Sequence, residues 1–262
     1  MISTLITEMK KNCKNIRLWA VVFWIAVWQL GSMALAAAYP HGALLLASPV
    51  SAIMRLLTLA RTAAFWQAVG RSVLHILGGF LLAVLAGVLL AALASRFHLL
   101  RELLAPLVAA IRAVPVVSFI ILALVWLPSR HLSLIISAMM VFPVIYGNVL
   151  AGIAQTDPAL LEMAQVFRVP FFRRLSGIDL PQVLPFFRTG CSLALGLCWK
   201  SGVAAEVIGL PAGTIGERLY TAKVYFQTPD LFAWTAVIVL ISVLFEHLFL
   251  YAVDTLVRKA GG

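Results

Sequence analysis

Long apolar runs separated by short basic intervals recur along almost the whole chain, and no other feature restricts its fold so severely. A helix needs about 20 apolar residues to cross the hydrocarbon of a bilayer. Runs of that length fall at residues 18–39, 73–95, 103–127, 132–154, 180–208 and 231–253. With 63% hydrophobic residues and a mean hydropathy of +1.02, a water-soluble domain of this size could not bury its apolar side chains. The expectation is an all-α membrane protein of about six transmembrane helices. Residues 1–17 form a tail, 18–262 a single membrane domain, and no separate soluble domain fits between the runs.

The tail carries Lys10, Lys11, Lys14 and Arg17 ahead of the first run. A signal peptide begins in the same way, but this run is long enough to span, and Gln29 and Gly31 interrupt it without a convincing cleavage site. The net charge of +10 does not point to nucleic acid, because the basic residues are scattered and form no face with interleaved aromatics. They are better used for orientation. With six spans, twelve Lys and Arg fall on the side of the two termini and six on the other, which puts both termini in the cytoplasm. Cys191 and Cys198 lie about 10 Å apart along one helix, too far for a disulfide, and no metal-ligand spacing occurs.

Within the spans, Gly78, Gly79 and Gly87 predict close helix packing in the second. The third is read as one helix with Arg112 near its middle and Pro115 just after. An intramembrane arginine faces a solute route, pairs with a carboxylate or snorkels to the interface, and all three stay open. Pro143 and Gly147 should bend the fourth span. In the fifth, Trp199 and Glu206 share a helical face from which Lys200 points away. These residues line a pathway or are satisfied charges packed between helices. Glu246 and His247 in the last span read as structural. Two outer segments remain. Residues 40–70 hold Ser48-Pro49 and an amphipathic stretch suited to the membrane surface, where it packs on the bundle or offers a ledge to an external protein. Residues 209–230 are rich in glycine turns and contain no phosphate loop.

The most distinctive polar interval is 157–179. Asp157-Pro158 reads as an N-cap followed by proline at the first helical position, starting a helix that runs to about Arg168. Pro170 ends it. A second short helix over 171–176 should stop at Gly177 with a left-handed cap. The outcome is a helical hairpin on the membrane surface.

The spacing of Glu162 and Ala164 ahead of Ile178, Leu180 and Pro181 resembles the EAA coupling loop of permease subunits of bacterial ATP-binding cassette (ABC) importers. Met163 stands where the second small residue is usual, and Arg168 where the family generally has glycine. Ser48-Pro49, Arg112-Ala-Val-Pro115, Phe142-Pro143 with Asn148 and Gly152, Pro185 with Gly190, Trp199 with Ala204-Ala205-Glu206, and Ile215-Gly216 are similar to the subgroup importing nitrate, taurine, sulfonates and thiamine-precursor pyrimidines. Thr214 departs from that pattern, where glycine is common.

The resemblance implies a type I importer permease in the bacterial inner membrane, with Glu162, Met163, Ala164 and Arg168 against an ATPase subunit and Ile178, Leu180 and Pro181 anchoring the hairpin to the fifth span. It implies as partners two ATPase subunits carrying the ATP and magnesium, a second permease copy or a paralogue, an external solute-binding protein and membrane lipid, with no cofactor in this chain. Arg112, Trp199, Lys200 and Glu206 are the pathway candidates, and Arg112 and Lys200 favour an anionic or zwitterionic solute. No nucleophile elbow, metal motif or spaced carboxylate pair suggests an enzyme. The alternative is an ion-driven secondary transporter using Arg112, Lys200, Glu206 and Glu246 as relays, but the inverted repeats common in such folds are absent.

Overall fold

The computed structural model describes residues 18–40 and 42–260; the cytoplasmic tail assigned to 1–17 lies outside them. In chain order the helices are α1 (Leu18–Ala38), α2 (Gly42–Leu45), α3 (Pro49–Leu59), α4 (Ala63–Arg96), α5 (His98–Ala113), α6 (Val116–Trp126), α7 (Leu132–Ala154), α8 (Pro158–Val166), α9 (Phe171–Arg174), α10 (Leu180–Gly209), α11 (Ile215–Val224) and α12 (Thr228–Ala260). A 3-10 turn at Ser129–His131 precedes α7, and a π turn at Leu175–Asp179 joins α9 to α10. Among the described residues five helices are long and apolar enough to cross a membrane, and α5 with α6 makes a sixth crossing if the bent pair counts as one span.

That pair corrects the expectation of a single third span. The two helices meet at 108°. Pro115 has no N–H to continue the ladder and crowds the residue before it, so Val114 is extended (φ −82°, ψ 133°) and α5 stops. A second correction concerns the outer segment 40–70, whose last residues already belong to α4, a helix of 34 residues starting at Ala63.

The chain divides into two compact units, one of residues up to Thr62 with Thr221–Trp234 and the other of Ala63–Tyr220 with Thr235 onward. In the first, the Trp28 indole donates to the Ala47 carbonyl (3.0 Å) and its ring meets Phe232 at 4.9 Å. Ser48 caps α3 by accepting from the Ser51 amide, with Pro49 at the first helical position. Arg55 grips Asp230 with two guanidinium nitrogens, and that bond, together with the charge of Asp230, raises the arginine's already high pKa. Val50, Ile53, Met54 and Leu57 are exposed along α3.

In the second unit α7 packs against both α4 and α10. Small residues permit this where lipid tails supply no hydrophobic drive between helices. A methyl group on Gly87 of α4 would lie 2.9 Å from Ile145 Cγ2, and one on Gly190 of α10 would lie 2.9 Å from Asn148 Cβ. Ile76, Phe80, Val141, Ile145, Leu195 and Trp199 fill the core between these helices. The predicted span 132–154 matches α7, and 180–208 nearly matches α10.

Candidate functional site

Two polar interruptions carry the site residues, the hairpin of α8 and α9 and the turn between α10 and α11. Asp157 is the N-cap of α8, its carboxylate accepting from the Ala159 amide (2.9 Å). Its own amide donates to Gln182 Oε1 (2.8 Å) on α10, so the hairpin is closed at its base by a side chain from the adjoining span. α8 ends in a Schellman motif. The Val169 amide reaches the Ala164 carbonyl (2.9 Å), the Arg168 amide reaches Gln165 (3.1 Å), and Arg168 holds a left-handed backbone at φ 49°.

The left-handed position is therefore Arg168, the residue at which the family pattern generally has glycine, and Val169-Pro170 only follows it. A side chain in that conformation costs about 1–2 kcal/mol relative to glycine. The expected stop at Gly177 does not occur. Gly177 has no positive φ, and α9 runs through the π turn into α10, so that 171–209 forms one continuous helical rod. Arg174 pairs with Asp179 (3.3 Å) across this turn.

Of the coupling candidates, Glu162, Met163 and Arg168 are exposed on the hairpin. Ala164 is not. At 3% exposure it is packed inside, which excludes it from a docking face in this conformation and gives its small size a packing reason. Ile178 and Pro181 are half-buried and Leu180 is 46% exposed where the hairpin enters α10. Val166, Phe167, Phe171 and Phe172, none of them among the coupling candidates, stand 78%, 75%, 67% and 82% exposed among Arg168, Arg173 and Arg174. Their signal was available, since large apolar residues placed in a basic turn have no core to enter.

The pathway candidates separate into two pairs. Arg112 is exposed, and one guanidinium nitrogen donates to the Pro143 carbonyl (2.7 Å) beside Gly147, where a Cβ would crowd it. Among the described residues its partner is a backbone carbonyl of α7 and not a carboxylate. Lys200 is exposed on α10. Trp199 and Glu206 are fully buried and present no surface to a solute in this conformation.

Glu206 instead ties three segments together. Its Oε2 accepts from the Ser72 hydroxyl of α4 (2.7 Å) and from the Gly216 amide (3.1 Å), and Ser72 Oγ accepts from the Ile215 amide (2.9 Å). Two of the four orphan donors at the start of α11 are thereby satisfied, and a carboxylate sits at the positive end of the helix. Gly216 allows this, because any Cβ there would collide with Glu206. Thr214, where the subgroup commonly has glycine, donates its hydroxyl to the Pro211 carbonyl (2.8 Å) and faces the Glu217 amide. Ser72 was absent from the sequence reading because nothing in its neighbourhood distinguishes it from other serines in apolar helices. The supposed relay groups also bond apart: Arg112 to Pro143, Glu206 to Ser72 and Gly216, Glu246 to Ser192 (3.0 Å).

Apolar helices of membrane-spanning length, packed closely through glycines and interrupted by a polar hairpin, define an integral membrane protein. Over residues 79–261 the chain matches the family of binding-protein-dependent transport system inner membrane components, and it belongs to that family. It is similar to the putative aliphatic sulfonates transport permease SsuC of Escherichia coli, 32% identical over 85% of this chain and 83% of the relative. The riboflavin transport system permease RibX of Chloroflexus aurantiacus is 31% identical over 85% and 80%. The taurine transport system permease TauC of E. coli is 27% identical over 78% and 76%. The chain is a multi-pass permease subunit of an ABC importer in the bacterial inner membrane, with the all-helical type I fold, and it works with ATPase and binding-protein partners.

Proposed function

We propose that the hairpin 157–179 is the cytoplasmic element through which a partner ATPase drives this permease. The observation that carries this is its surface: Val166, Phe167, Phe171 and Phe172 are exposed between charged residues, a pattern suited to a protein groove with an apolar centre and polar rim. Glu162, Met163 and Arg168 share that exposed surface. Ile178, Leu180 and Pro181 join it to α10. Because 171–209 is one rod and Gln182 closes the hairpin's base, displacement of the tip tilts α10 instead of folding a loose loop. Both termini lie on the same side as the hairpin, ATP and magnesium are bound by the ATPase, and the working complex holds two permease chains with lipid around them. This chain carries neither a cofactor nor catalysis of its own.

Arg112 and Lys200, both exposed on apolar helices, face the solute route, and an anionic or zwitterionic solute suits two cations. The sulfonate and taurine permeases among its relatives support that class. The test is co-purification. The ATPase subunit stays bound to the unaltered chain and is lost on Phe172→Glu, Glu162→Arg or deletion of 160–176. Retention by all three variants, each still folded in the membrane, contradicts the proposal.

A further inference from the structure

The last helix, α12, is largely exposed: 11% of its most apolar stretch is buried, against 50% in the helices at the centre of the unit, α7 and α10. Ile241, Phe245, Phe249 and Leu250 pack against the core of its unit, the Phe249 ring meeting Phe80 at 5.0 Å. Two polar pairs join it to α10. Arg188 places Nε and Nη2 on the two carboxylate oxygens of Asp254, the second at 3.1 Å, and one turn further along α10 the Ser192 hydroxyl donates to Glu246 Oε1 (3.0 Å). Positions 188 and 192 rise along α10 as 254 and 246 descend along α12, the order expected of antiparallel helices, with the long Arg188 side chain reaching across the offset of about one turn between the two pairs.

Side-by-side apolar helices in lipid gain little from hydrophobic burial, so packing and polar pairs decide which helix follows which. A bidentate guanidinium–carboxylate pair fixes angle as well as distance. Arg188 lies two turns past Leu180 on the rod that continues the hairpin, where a tilt of that rod first reaches the bundle. We propose that Arg188–Asp254, aided by Ser192–Glu246, makes α12 travel with α10 when the hairpin is driven, so that the final span belongs to the moving body. Arg188 and Asp254 are positioning residues; neither has to touch solute. The role in transport rests on the hairpin reading above, whereas the registration of the two helices does not.

The experiment uses the full chain with Cys13→Ser, spin labels on Leu193→Cys and Leu244→Cys, and labelled chain diluted with unlabelled chain in nanodiscs. Both label sites are exposed and outside the pairs, while Cys191 and Cys198 are buried. The unaltered pair should give one narrow α10–α12 distance that is the same in nucleotide-free and vanadate-trapped complexes. Arg188→Asp or Asp254→Arg should broaden it and lower vanadate-sensitive ATP hydrolysis by about tenfold. The double reversal should restore a narrow distance and most of the hydrolysis, a rescue that general loss of folding would not give. A distribution unchanged by either single reversal, or a double reversal no better than the singles, overturns the proposal. If the ATPase subunit fails to bind the unaltered chain, the hairpin reading fails, and the distances in the chain alone still decide the registration.

Discussion

The hairpin between α7 and α10 and the turn between α10 and α11 are both short, polar, and punctuated by proline and glycine, yet the protein uses them in opposite ways. At the turn, Glu206 goes inward and its hydrogen bonds close on Ser72 and on the start of α11. At the hairpin, Phe167 and Phe172 go outward and stay largely exposed among the described residues. A polar group that finds partners within the chain makes a fixed joint. Apolar groups left outside make a surface that is complete only with another protein. The difference assigns rigidity to the first region and partner dependence to the second, and it can be attacked from either side.

The largest effect should come from the joint. Glu206→Ala leaves the Gly216 amide and the Ser72 hydroxyl without their acceptor in a buried site, a cost of about 3 kcal/mol. Thermal unfolding in detergent should show a large fall in the midpoint, whereas Glu206→Gln, which keeps an acceptor oxygen, should fall much less. Equal falls would show that the negative charge and not the hydrogen bonding matters there. Gly216→Ala comes next. Its methyl has to displace Glu206, an overpacking cost of about 1–3 kcal/mol.

The hairpin should respond in the reverse sense. Phe167→Ala with Phe172→Ala should leave the stability of the isolated chain within about 0.5 kcal/mol of its original value, as surface changes do. ATPase retention should fall at least about tenfold, as expected when interface anchors are removed. A stability loss comparable to that of Glu206→Ala would erase the distinction between the two regions. The smallest effect is Arg168→Gly, which relieves a left-handed side chain and should stabilise the hairpin by about 1 kcal/mol, read as slower amide exchange at Val169.

The spans were legible because a run of apolar residues is a local property, and α1, α7 and α10 lie within a residue or two of where the sequence put them. The Asp157 cap and the Ser48-Pro49 start are equally local. What was not legible depended on a competition or on a distant partner. Pro115 was visible, but whether it would bend a span or end it turned on Val114 accepting an extended backbone. Gly177 looked like the cap, yet the π turn absorbed it and Arg168 took the left-handed position, because the hydrogen bonds to Ala164 and Gln165 outweigh the side-chain penalty. Glu206 stands in the sequence as a pathway candidate, and the structure buries it. Its role depends on Ser72, 134 residues away, and no periodicity records that.

The central claim is that the hairpin's apolar tip faces the cytoplasm and docks a partner ATPase. Placing a cysteine at Gln165, exposed on the hairpin beside Val166 and Phe167, in the Cys13→Ser chain and treating spheroplasts or inside-out vesicles with a membrane-impermeant maleimide tests it most directly. The account predicts labelling only in inside-out vesicles, with protection when the ATPase subunit is co-expressed. Labelling from the outside of intact spheroplasts, or labelling from the inside that the ATPase leaves unchanged, would contradict it.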